Sequence, residues 1–237
     1  MKSYNDDQMN QMKEFYDKSD YYENNLKKFL DLNNAYQSDR IRSILELYSP
    51  NKDETILDLG CGWGTFCFAL AEQCKNIVGV DFSTKSIEIC QKLAIEKNLP
   101  AIEFKCADAR CTGLARESFD VVICADLVEH LYPRAYEDSL KEIKRILKRG
   151  GKLIIWTPNR GHLIEMLKNR NIIFKKDISH VDYKSMNRLI NSLERQGFLI
   201  RKAYYKESHV PFIRIIEKLF MKFFPFVRRR IAILAEK

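Results

Sequence analysis

Between Thr55 and Trp156 the chain alternates short, nearly continuous apolar segments with stretches of helical periodicity. The apolar segments are TILDLG, NIVGVD, AIEFKC, FDVVICA and KLIIW, each β-branched or apolar almost throughout, as strands covered on both faces require. Helical patterns run over Thr65–Cys74, Ser83–Lys97 and Arg134–Lys148. The last carries Leu140, Ile143, Ile146 and Leu147 on one side and meets Gly150-Gly151 as a stop. Such alternation predicts an α/β fold, a doubly wound and mostly parallel sheet with helices on both faces.

The flanks read differently. Residues 1–50 are polar, aromatic and strand-poor, with Ser38 as the expected cap of a helix carrying Ile41, Ile44, Leu45 and Leu47. After Trp156 come a loop, TPNRGH, a helical stretch and a capped helix from about Tyr183 to Gln196, ended by Gly197. FLIRKAYY reads as a sixth strand and RIAILAEK as a terminal one. The expected organisation is a helical segment over 1–50 that covers the active site, then one domain over 51–237 with an amphipathic helical insertion near 211–227.

No apolar run approaches the roughly 20 residues of a membrane-spanning helix. The opening MKSYNDDQMNQMKEF lacks a signal-peptide core, so a cytoplasmic protein is expected. All seven cysteines fall between Cys61 and Cys124 with no CxxC pair, which suits reduced buried thiols. The net charge of +8 is mostly interleaved with acids, as in KEIKRILKR, the pattern of a solvated helix face.

The most specific residues are Asp58-Leu-Gly60-Cys61-Gly62-Trp-Gly64, where the first strand turns into a helix. Glycines there let backbone approach a ligand closely. A dinucleotide site spaces its third glycine one residue later, beside a pyrophosphate. Asp58, two residues before the first glycine, would repel a pyrophosphate. It suits a zwitterionic sulfonium ligand, whose ammonium it is expected to hold directly or through water. Asp81, ending NIVGVD, follows Asp58 by 23 residues, close to the spacing at which an acid meets ribose hydroxyls. Phe82 is placed to pack on an adenine face. Asp108 in CADAR is placed to accept from an adenine amino group, with Ala109 supplying backbone contacts. Any one such acid is commonly a loop or helix cap. Three at successive strand ends share the side where doubly wound sheets bind ligands.

DLGCGWG, VGVD, CADA, FDVVICADLVEHL and LKRGGKLII, in this order, resemble the successive motifs of class I S-adenosylmethionine-dependent methyltransferases. The resemblance covers roughly 55–235 and implies a Rossmann-like sheet of seven strands, with RIAILAEK antiparallel beside FLIRKAYY. It implies S-adenosylmethionine as cofactor, held by Asp58, Gly60, Cys61, Gly62, Asp81 and Asp108, with Ala125 and Asp126 near its methionyl part. DLVEHL, TPNR and SHVDYKSMNRL resemble the O-methyltransferases of quinone and other small-molecule pathways. In those enzymes a helix before the first motif brings an arginine to the cofactor pocket, and Arg40 sits comparably.

An oxygen acceptor needs a base active near neutral pH, and histidine is the natural one. His130 and His180 are the candidates, each weighed against a structural histidine bonded to backbone. His162 and His209 read as surface groups. No metal ligand is assigned. In 211–230 six basic residues stand against Glu217, and Phe212, Ile216, Leu219, Phe220 and Phe223 follow helical spacing. The stretch reads either as a peripheral membrane contact or as a helix packed on the domain or lidding its pocket. The expected partner is a small-molecule or lipid-like acceptor. A tRNA or other nucleic-acid methyltransferase is the first rival, disfavoured by the lack of an NPPY-like loop, a Pro-Cys nucleophile or an appended RNA-binding module. A non-catalytic cofactor-binding subunit is the second, disfavoured by the intact glycine loop.

Overall fold

The computed structural model describes residues 13–14, 16–17, 29, 31–169 and 179–237. Seven strands form one sheet: β1 Thr55–Leu59, β2 Asn76–Asp81, β3 Ile102–Cys106, β4 Phe119–Ala125, β5 Leu147–Pro158, β6 Leu199–Lys206 and β7 Arg230–Glu236. Their order is β3-β2-β1-β4-β5-β7-β6. The first five pair in parallel. β7 slots antiparallel between β5 and β6. This is the sheet the sequence predicts. The chain winds outward from β1 through β3, then restarts at β4 on the other side of β1, which opens a crevice beyond the carboxyl ends of these two strands.

Period-two alternation gives each strand two apolar faces. Leu57, Leu59, Val122, Cys124, Leu153 and Ile155 pack with α4 (Pro133–Ile146) and α6 (Met186–Arg195). Ile56, Ile77, Val121, Ile123 and Ile154 pack on the opposite face with α1 (Ala35–Leu47), α2 (Thr65–Leu70) and α3 (Thr84–Glu96). Two further short helices are α5 (Leu163–Asn169) and α7 (Pro211–Phe220).

Several boundaries differ from expectation for local reasons. Asn34, not Ser38, caps α1: its side chain accepts from Tyr36 N–H at 2.9 Å, while the Ser38 hydroxyl donates back to Leu32 C=O. α2 stops at Leu70 rather than Cys74 because Ala71–Gln73 form a turn leading directly to β2. α4 ends at Ile146, four residues before Gly150, because Leu147 already pairs with Phe119 in the sheet. α6 starts at Met186, not Tyr183, where the Ser185 side chain accepts from Arg188 N–H. Five cysteines are buried thiols as expected, but Cys106 and Cys111 are exposed. The expected segment 1–50 lies partly outside the described residues.

Gly79, in the middle of β2, lets Phe104 of β3 lie across the strand. A Cβ there would sit 2.6 Å from the Phe104 ring and 2.9 Å from Cys67 Sγ. Gly79→Ala is expected to lower stability by about 1–3 kcal/mol, the cost of forced overpacking. Urea denaturation of the two proteins measures it.

Candidate active site

A cavity of about 270 Å³ lies at the carboxyl ends of β1, β2, β3 and β4. Its floor is the loop after β1, where Gly60, Gly62 and Gly64 adopt φ of 78°, 49° and 72°. This left-handed backbone is strained for any side chain but open to glycine. Gly60 and Cys61 N–H donate to Val80 C=O, anchoring the loop on β2. Gly62 N–H donates to Asp81 Oδ2 at 2.9 Å, and Ser83 N–H donates to Asp81 Oδ1 at 3.0 Å. A Cβ on Gly62 would meet nothing within 4 Å. The loop therefore presents bare backbone to open space.

Of the thirteen residues the sequence singles out, twelve line this one cavity: Arg40, Gly60, Cys61, Gly62, Asp81, Phe82, Asp108, Ala109, Ala125, Asp126, His130 and His180. The exception is Asp58. It lies beneath the loop, 1% exposed, with its carboxylate accepting from Cys67 Sγ at 3.6 Å. Its side chain stands behind the glycine loop and does not itself line the cavity. Asp108 also differs in detail. Both of its carboxylate oxygens accept from the Arg110 guanidinium, so the acid is already engaged within its own turn.

At the end of β4, Asp126 holds a positive φ of 55°. This is a strained conformation for a residue with a side chain. Its carboxylate lies 2.9 Å from Arg40 and also accepts from Arg230, the first residue of β7. Burial acts to raise its pKa, but Arg230 and Arg40 outweigh it and hold the group below the usual carboxylate range. Two guanidinium groups on one carboxylate leave a surplus positive charge. Arg40 Nε is buried with no hydrogen-bond partner among the described residues. Arg230, and Tyr36, whose hydroxyl accepts from Arg230 at 3.2 Å, carry no local motif and were missed by the sequence reading. The N-terminal fifty residues also bring Tyr16 and Phe29 to the cavity wall, Phe29 stacked on Trp63 with ring centroids 3.8 Å apart.

Across the cavity the His130 and His180 rings meet edge to face, 4.7 Å between centroids. His130 Nδ1 lies 2.9 Å from Ser179 C=O, an acceptor only, so Nδ1 carries the proton. Tyr183 O–H donates to Glu165 at 2.8 Å, so His180 Nδ1–H donates to the Tyr183 oxygen. In both neutral rings Nε2 is then the basic nitrogen. Buried Glu129 stands beside them, Oε2 accepting from the Thr157 hydroxyl and Oε1 without a partner among the described residues. Ligand atoms of Glu129, His130 and His180 lie within 4.8 Å of one another, a spacing that also suits one cation. His162, expected at the surface, is instead buried at 4% exposure beneath α7, its Nε2 3.8 Å from Glu217. His209 is half-buried against Tyr36 rather than fully exposed.

A family model described as a methyltransferase domain matches residues 57–155. An uncharacterized protein of Methanocaldococcus jannaschii is 32% identical over 180 residues, 74% of either chain. A ubiquinone biosynthesis O-methyltransferase of Paracidovorax citrulli is 32% identical over 48% of this chain and 47% of its own. The chain thus matches just under half the length of that relative. Among solved structures, a SAM dependent methyltransferase from Archaeoglobus fulgidus superposes with TM-score 0.64 at 22% identity, over 84% of this chain and 92% of its own. The [4+2]-cyclase SpnF does so with TM-score 0.67 at 18% identity, over 85% and 81%. At these identities the structural likeness shows the fold alone. Sequence family and fold together define a Rossmann-like transferase. The chain belongs to the class I S-adenosylmethionine-dependent methyltransferases.

The buried acids make a prediction about pH. Burial raises Asp58 to about 7, against Arg40 and the Cys67 hydrogen bond, and raises Asp81 to about 6, against the N–H donors of Ser83 and Gly62. Burial, reinforced by Asp126, raises Glu129 to about 7. Each holds a proton in the folded protein where the unfolded chain, titrating near 4, has released it. The stability they contribute is complete below the unfolded values and is lost as pH rises through the folded ones. The denaturation midpoint of the ligand-free protein is expected to fall as pH rises from about 5 to about 8. Asp58→Asn should flatten that slope.

Proposed function

We propose that the enzyme transfers the methyl group of S-adenosylmethionine to a hydroxyl oxygen of a small-molecule or lipid-like acceptor. The observation carrying this reading is the His130–His180 pair, facing into the cavity that the glycine loop and Asp81 floor. The bound cofactor supplies a methyl group on a positively charged sulfur, already joined to a good leaving group.

The residues present fit that cofactor. Each Asp81 oxygen uses one lone pair on a backbone N–H and keeps another for a ribose hydroxyl. Phe82 offers a ring face for adenine, and Ala109 offers backbone beside it. Arg40 and Arg230, with their surplus charge, suit the methionyl carboxylate, Ala125 and Asp126 lying alongside. Methyl transfer asks the protein mainly to align acceptor and methyl group and to exclude water. The remaining task is proton removal from the acceptor hydroxyl. Nε2 of His180, held through Tyr183 and Glu165, or of His130, held on Ser179, is oriented to take it. Arg110, Arg145, Arg188 and Arg201 are each tied to a carboxylate, which disfavours these four as phosphate contacts of a nucleic-acid acceptor.

Calorimetry with S-adenosylhomocysteine, followed by a screen of quinol, phenol, sugar and lipid acceptors, tests the assignment. Binding without turnover on any acceptor would favour the non-catalytic subunit, and tight, salt-sensitive tRNA binding would move the acceptor to nucleic acid. Asp81→Asn is expected to weaken S-adenosylhomocysteine binding by about tenfold or more, the loss of a charged acceptor. Wild-type affinity should rise as pH increases through about 6, where Asp81 ionises, and that rise should vanish in the variant. His180→Ala and His130→Ala should lower kcat by about 10²-fold or more, with S-adenosylhomocysteine affinity held. Loss of affinity instead would make either residue part of the cofactor pocket.

A further inference from the structure

α7 is a helix turned inside out. Glu217 faces the domain at 5% exposure, accepting from Ser208 N–H and standing 3.8 Å from His162. Two residues to either side along the helix, and so on its opposite face, Ile215 and Leu219 are 60% and 64% exposed. Phe212 and Phe223 continue the outer stripe at 74% and 71%. A helix that merely covered the core would show the reverse arrangement. Contiguous apolar surface of this kind on a folded domain marks a binding face.

We infer that this face docks on an anionic phospholipid bilayer. Charge decides the occupant. Exposed Lys218 and Lys222 flank the stripe and have no acidic partner among the described residues. Half-buried Arg228 and Arg229 follow in sequence, and the one acid of 211–230, Glu217, is buried. Two copies joined through this face would press like charges together, whereas an anionic headgroup layer neutralises them. Phenylalanine side chains provide the apolar area that sinks into the acyl boundary. No helix among the described residues is long and apolar enough to cross a membrane, so contact is with one leaflet. The attachment is also placed for use: the chain runs from α7 into β7, whose first residue, Arg230, lines the cavity. The inference stands on this surface and not on the identity of the acceptor.

Sedimentation of the full chain with phosphatidylcholine vesicles, with and without phosphatidylglycerol, tests it. Binding should require phosphatidylglycerol and weaken at high salt. Lys218→Gln with Lys222→Gln should lower partitioning roughly 25-fold, about fivefold for each lysine. Leu219→Glu with Phe223→Glu should lower it at least about tenfold. S-adenosylhomocysteine affinity should be unchanged in both pairs, which separates this surface from the cofactor site. The lysines are exposed, so their pair reads the surface even if the glutamate pair misfolds. Three results overturn the inference: no binding to phosphatidylglycerol vesicles, lysine-pair binding equal to wild type, or a dimer without vesicle binding that the substitutions dissociate.

Discussion

The Asp81 carboxylate ties two βα turns together at the floor of the cavity. One oxygen accepts from Gly62 in the loop after β1 and the other from Ser83 in the turn after β2. Without this acceptor the glycine loop would keep its anchor on Val80 but lose the partner for its exposed N–H. The tie is not free of strain: burial pushes Asp81 up to about 6, so the ionised form is held at a cost that hydroxyl donors from a ligand would offset. A site that is incompletely satisfied when empty gains most from the ligand that completes it.

The opposite end of the cavity works by the reverse logic. There the cations outnumber the anion, since Arg40 and Arg230 converge on Asp126. The three residues come from α1, the end of β4 and the start of β7, so the charge surplus exists only when sheet and N-terminal helix have docked. One end of the cavity offers an acceptor to hydroxyls and the other a positive charge to a carboxylate. The histidine pair on the same cavity wall is held from outside, by Ser179 and by Tyr183 with Glu165. A ligand spanning both ends would meet a hydroxyl acceptor at one and positive charge at the other.

What was legible in the sequence was what short-range spacing encodes. The glycines, Asp81, Phe82 and Ala109 sit at strand ends, and a parallel sheet carries strand ends to one side whatever the remaining sequence does. Arg230 and Tyr36 were invisible because nothing within a few residues of either marks them; the pairing of β7 between β5 and β6 brings Arg230 inward. Asp58 belongs to the same turn but stands one layer behind the cavity wall. Alternation along β1 sends its side chain to the α2 face, where Cys67 closes over it. Ser38 and Asn34 are equally good caps by residue type, and only the turn formed by the chain before α1 selects between them.

The polarity of α7 exposes the remaining limit of pattern reading. Helical spacing of Phe212, Ile216 and Leu219 reveals an apolar face, yet spacing is blind to which side of the helix the domain lies on. The two arrangements differ in what each buries. With the apolar stripe inward, Glu217 would be solvated and the lysines would fringe the domain. In the observed arrangement Glu217 satisfies the Ser208 backbone in a polar seam with His162, and the apolar stripe faces out. A buried carboxylate with specific donors outweighs an undirected preference for burying side chains, because leaving those polar groups unpaired costs more than exposing an apolar surface that another phase can cover. The seam therefore fixes the direction of the helix, and the direction leaves its apolar side exposed.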